Sequence, residues 1–146
     1  MHQLLSLKIL AVVALAVCFG GMTFFSLVMA PLVFSKLPPQ TAGAFIREVF
    51  PWYYLTMGTT TLVALLLLLP GISDGHGWAA LFSAIALGGF VFARQWLMPM
   101  INRARDAKLT GDGQAGQRFK RLHALSVVLN AGQWLAVLAA LVSVVV

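Results

Sequence analysis

The sequence predicts an all-α integral membrane protein, a four-helix bundle with a short interfacial helix between the first and second spans. Three observations carry that expectation. The chain is 60% hydrophobic and 10% charged, with a mean hydropathy of +0.91, whereas a soluble domain holds about 25% charged residues. Its apolar residues gather into four runs long enough for a helix of about 20 residues, which satisfies its own backbone in hydrocarbon. Pro, Gly and charged residues fill the breaks between them. At 146 residues the chain has room for a single membrane domain.

The first span is expected over about residues 8–34. Its start, "LKILAVVALAV", imitates a signal-peptide core, with Ala14 to Ala16 as a cleavage-like site. The apolar run continues to Phe34, so the segment is read as a retained helix, and Val17 argues against a lipobox at "LAVC". Cys18 is the only cysteine. This excludes an intrachain disulfide and a CxxC redox or zinc site, and leaves a small packed residue. "KLPPQ" ends the span, because Pro38 and Pro39 cannot continue it.

In "QTAGAFIREVF", Ala42, Phe45, Ile46, Val49 and Phe50 share one helical face, with Arg47 and Glu48 on the other. Residues 40–50 are read as a helix, either lying in the headgroup plane or acting as a linker packed on the bundle. The second span, about 51–69, opens with Pro51 in its first turn and stops at the hairpin "LPGISDGHG". The third, about 77–98, slows at Pro99 before a polar loop centred on "LTGDGQAGQ". The fourth covers about 122–146.

Charge sets the expected direction. Lys36, Arg47, Arg103, Arg105, Lys108, Arg118, Lys120 and Arg121 fall in the first and third loops, against Lys8 and the amino terminus opposite. The positive-inside rule then places those loops in the cytoplasm of a bacterial inner membrane, with both termini outside. Trp52, Tyr53, Tyr54 and Trp78 become interface anchors. The net charge of +6 is concentrated beside apolar spans, so the expected partners are membrane lipids, with anionic headgroups at the basic loop, and not nucleic acid.

Membrane helices associate through small residues that allow close approach. Gly20, Gly21, Gly58, and Ala80, Ala84 and Gly88 at spacing four are the candidate packing positions. The last span carries a polar stripe, since His123, Ser126, Asn130 and Gln133 repeat at three, four, three and so share a face. Either the stripe points into the bundle and bonds across helices, or it lines a path for a solute or ion. Arg94, inside the third span, either snorkels to the headgroups or joins Arg103 or Arg105, His123 and Asn130 in a cluster at the cytoplasmic end.

The chemistry available to an enzyme is sparse: no paired carboxylates in the spans, no metal-spaced histidines, no nucleophile motif. A bis-histidine haem would need a partner for His123, but His2 and His76 are placed on the opposite side. The methionines Met22, Met29, Met57, Met98 and Met100 could serve copper but suit packing better. No cofactor and no metal site are expected.

The segments "APLVFSKL" (30–37), "FPWYY" (50–54), "MPMINRARD" (98–106) and "FKRLHALSVVLN" (119–130) stand in that order, each at a span edge. With them the chain resembles the transmembrane protein 205-like family, whose domain has no assigned activity. The resemblance implies a compact four-span protein with recurring positions at Pro31, Pro51, Tyr54, Asn102, Arg105, His123, Ser126 and Asn130. Some relatives are associated with metal or metallodrug tolerance, which implies metal handling; the spans here are poor in carboxylates and thiols. The intramembrane polar set then comprises Arg94, Asn102, Arg105, His123, Ser126, Asn130 and Gln133. The expected function is non-enzymatic, a structural or accessory membrane component, as a homo-oligomer or within a larger complex. Small-solute or metal-ion transport is the alternative, and a haem or copper redox role ranks third.

Overall fold

The computed structural model describes the backbone of residues 2–146 and side chains from residue 5 onwards. Met1 and the side chain of His2 lie outside the described residues. The chain forms four long rods. The first is α1 (His2–Phe24), a π-helical turn (Phe25–Met29) and α2 (Ala30–Lys36). It ends where Leu37 becomes extended, at φ −107° and ψ 146°, ahead of Pro38. The second is α3 (Pro39–Leu68), which runs into a 3-10 turn (Leu69–Asp74). Gly75, at φ 98°, reverses the chain there in a conformation open to glycine. The third joins α4 (Gly77–Phe92), a second π turn (Ala93–Leu97) and α5 (Met98–Leu109). After a turn at Gly111, φ 93°, α6 (Ala115–Val145) completes the bundle. All four rods are long and apolar enough to cross a membrane.

The rods pack in a ring, α1 on α3, α3 on α4, α4 on α6 and α6 back on α1, the up-down arrangement that short connections impose. Their buried residues follow one rule. Ala11, Leu15, Cys18 and Met22 line α1; Met57, Thr61, Ala64 and Leu68 line α3; Ala79, Ser83, Ala86, Phe90 and Ala93 line the third rod; Gln133, Val137, Ala140 and Val144 line α6. Steps alternate between three and four, the seam of a left-handed coiled coil. Many of these side chains are small, so the backbones approach closely, as membrane helices require. Outward-facing leucines, isoleucines, valines and phenylalanines cover the bundle's surface.

Three expectations are corrected. Residues 40–50 are helical but form no separate interfacial helix, because α3 passes without a break through Pro51. The third rod props this extension: Arg105 Nη1 donates to the Gly43 carbonyl, and Arg47 makes a two-pronged ion pair with Asp106 at 2.7 and 3.2 Å. The small-residue seam of the third rod is displaced by one position. Ala80 is buried, but Ala84 and Gly88 are exposed, and Ala79, Ser83 and Ala86 take the interface. A strict spacing of four advances about 40° beyond a full turn at each step, so such a row slides off the interface that alternating threes and fours keep. Tyr53 and Tyr54 are buried and anchor nothing at a lipid interface, unlike the exposed Trp52 and Trp78.

Among the glycines singled out for packing, Gly20 has open space at its missing Cβ, Gly58 has ordinary contact with Phe90, and Gly21 is close-packed against Met57. The tightest approach of the α4–α6 seam is one the spacing rule did not select. A Cβ at Gly89 would lie 2.9 Å from both Cγ and Nε2 of Gln133.

Candidate functional site

The most connected polar groups lie where α1, α3 and α6 converge. Tyr53 Oη donates to Asn130 Oδ1 at 2.9 Å, and Asn130 Nδ2 donates to Ser26 Oγ at 3.3 Å. One asparagine thus ties α6 to two other rods, using its acceptor on one side and its donor on the other. Ser26 belongs to the π turn of the first rod. Such turns re-aim side chains by inserting a residue into the helical register. Phe25, Phe50, Tyr53 and Tyr54 stack around the junction, with ring centroids 4.6 to 5.8 Å apart, which shields these hydrogen bonds from exchange with lipid or water.

One turn further along α6, Trp134 Nε1 donates to Thr23 Oγ1 at 2.9 Å, and the Thr23 hydroxyl in turn donates to the Phe19 carbonyl at 2.7 Å. The Trp134 ring also packs on Phe19, centroids 4.8 Å apart. Cys18 Sγ lies 3.3 Å from Thr61 Oγ1, whose hydroxyl donates to the Met57 carbonyl. Serine and threonine hydroxyls in membrane helices find an acceptor on their own backbone in this way. Ser83, bonded to the Ala79 carbonyl at 2.8 Å, does the same.

Gln133 differs from all of these. It is 3% exposed, near the middle of the apolar run 122–146, yet neither oxygen nor nitrogen of its amide has a partner among the described residues. The side chain fills the groove that Gly89 leaves open.

The predicted polar set is therefore divided by the structure. Asn130 and Gln133 face inward; Ser126 bonds back to the His123 carbonyl at 2.7 Å; His123 is exposed, its ring stacked on Phe119 with centroids 5.9 Å apart. His123 and Ser126 continue the three-and-four row of the α6 seam, so what they lack is a facing rod: beyond the π turn the first rod continues as α2, which packs on α3. Arg94, on the second π turn, aims at α3, where its Nε donates to the Pro51 carbonyl at 3.4 Å. Asn102 is half-buried with no side-chain hydrogen bond among the described residues, and Arg105 is committed to Gly43. Apart from Ser126 with its own-helix neighbour His123, no hydrogen bond or ion pair joins two members of the set among the described residues.

Several partners escaped the sequence reading. Ser26 and Thr23 are isolated hydroxyls in a long apolar run, and Trp134 looks like another apolar residue; only the fold brings them to α6. A signal was nevertheless present, for Thr23 and Ser26 are three residues apart and so share a face. No group of three or more His, Cys, Asp or Glu side chains is placed to hold a metal ion among the described residues.

Nothing among curated proteins or solved structures matches the chain. Residues 13–109 match the domain of unknown function DUF4149. That segment takes in the first rod from Val13 onwards, the second and third rods, the Tyr53 and Ser26 ends of the polar junction and the Arg94 turn, and it is more than half of the chain: this protein belongs to the DUF4149 family, as an integral membrane protein of four apolar helices.

Proposed function

We propose that the chain is a non-enzymatic accessory component of a bacterial cytoplasmic membrane, a rigid four-span scaffold that associates with copies of itself or with larger membrane assemblies. One observation carries this reading. Gln133 apart, the polar side chains between the rods are engaged by other groups of the bundle, through Tyr53–Asn130–Ser26, through Trp134–Thr23 and the Phe19 carbonyl, and through Cys18–Thr61. A group already bonded to a neighbouring helix is poorly placed to hand a solute along a path. The positive charge at the ends of the first and third loops supports a cytoplasmic position for those loops, with anionic headgroups against them. The finer kinship with the transmembrane protein 205-like family rests on the four ordered segments, three of which fall within the matched residues.

The second reading, transport of a small solute or metal ion, is favoured by the unpartnered Gln133 amide in the middle of the bundle. Proteoliposomes separate the two. The accessory role predicts the same leakage of small anions and divalent metal ions as in protein-free vesicles. A saturable flux that falls on Gln133→Met or Asn130→Leu would establish transport instead.

A further inference from the structure

A second polar region lies outside the apolar part of the bundle, where α5 and the first turns of α6 face each other across the Gly111 turn. A cavity of about 550 Å³ opens there, lined by Arg103 from α5 and by Arg118 and Arg121 from α6. Arg118 and Arg121, three apart, share one face of α6, and Arg103 lines the same cavity from α5. None of the three guanidinium groups makes an ion pair or a side-chain hydrogen bond among the described residues; the one ion pair there, Arg47–Asp106, employs a different arginine. Asp112 is the only acidic residue in the lining. Its Oδ1 is held by the Gln114 backbone N–H at 2.9 Å. Three positive groups against one negative leave the lining with an excess of two positive charges. Buried Ala104 and Ala115 form part of its floor.

Three like charges lining one concavity favour an anion there. Arginine presents planar N–H pairs that match the oxygens of phosphate, and a cavity of this size falls in the range of small-molecule sites, about 300–1,000 Å³. Met100 also lines the cavity, one turn beyond the exposed Trp96, a residue type that settles at headgroup depth. We propose that Arg103, Arg118 and Arg121 bind a phosphate-bearing anion of about two negative charges, either the phosphomonoester headgroup of a lipid or free phosphate. The site does not depend on the accessory role proposed above; only its assignment to the inner leaflet rests on that reading.

The test uses the full chain in phosphatidylcholine nanodiscs, titrated calorimetrically with inorganic phosphate, and in matched nanodiscs containing phosphatidic acid. The wild-type chain takes up one phosphate saturably, and Arg103→Gln, Arg118→Gln and Arg121→Gln each weaken uptake about tenfold or more, as loss of a charge-assisted contact implies. Lys120→Gln, exposed between two of the arginines but outside the lining, changes it by less than about twofold, since a solvated surface charge acts through screened, long-range attraction alone. Phosphatidic acid that abolishes the phosphate titration identifies the headgroup as occupant. A phosphate titration unaffected by the lipid identifies the free anion. All four side chains are exposed, so the variants fold, and an unchanged thermal midpoint verifies it. Absence of saturable binding in both nanodiscs, or a Lys120→Gln loss equal to that of Arg118→Gln, overturns the proposal.

Discussion

Tyr53 and Asn130, 77 positions apart in sequence, meet as donor and acceptor at 2.9 Å across the diagonal of a four-helix ring. Neighbouring rods hold the ring together through apolar seams; this bond connects two rods that are not neighbours. With Ser26 on its other side, Asn130 sets the relative rotation and height of three helices.

The close approach of α4 to α6 depends on Gly89. Gly89→Ala places a methyl group 2.9 Å from the Gln133 side chain, and overpacking of this kind costs about 1–3 kcal/mol. Gly88→Ala, whose new Cβ meets nothing within 4 Å, is neutral or stabilising by about 0.5–1 kcal/mol, because alanine loses less backbone freedom in a helix. Unfolding midpoints of the two variants in mixed micelles should move in opposite directions or differ by that margin.

Gln133 carries an amide with no partner. Gln133→Met keeps the unbranched shape and removes both polar atoms, so relief of an unsatisfied buried group worth about 1–3 kcal/mol should stabilise the bundle. Thermal unfolding measures the sign. A loss of stability would mean that the amide has a partner in the membrane.

Trp134 and Thr23 form a further inter-rod bond, between α6 and α1. Trp134→Phe leaves most of the ring packing on Phe19 but deletes the N–H donor, and should cost about 1 kcal/mol. Thr23→Val in the same background should add little, because the donor it received is already gone.

Accessibility follows the division of the polar stripe. A cysteine at position 123 should react with a membrane-impermeant maleimide applied from the side of the basic loops, since His123 is exposed. Native Cys18, 0% exposed in the seam, should react only after denaturation.

Much of the architecture was legible in the sequence, because hydrocarbon imposes so simple a condition: an apolar run of sufficient length must be helical. Pro38 with Pro39 and the Gly75 turn gave two of the three breaks directly. Helix ends beyond the apolar runs were not legible, since α3 begins at Pro39 and α6 at Ala115 in polar sequence held by Arg47–Asp106 and by contact with α5. Facing was read correctly only where another rod stands opposite. Asn130 and Gln133 fall on the seam, whereas His123, one heptad before Asn130 on the same row, has lost its neighbour. Tyr53 and Tyr54 were misplaced because aromatic residues at a span edge suit both an interfacial belt and a core junction, and only the presence of Asn130 opposite decides between them. The arginine cavity was visible as a basic cluster, but its concavity depends on the angle between α5 and α6, which no local pattern encodes.

The most direct test of the central claim, that Asn130 of α6 is turned inward and bonded to two other rods, is a double-mutant cycle on Tyr53→Phe and Asn130→Leu, with unfolding free energies measured in bicelles. The bond predicts that the double variant loses less than the sum of the single losses, by a coupling of about 0.6–2 kcal/mol. Losses that add to within about 0.3 kcal/mol would contradict it and place Asn130 against something other than Tyr53.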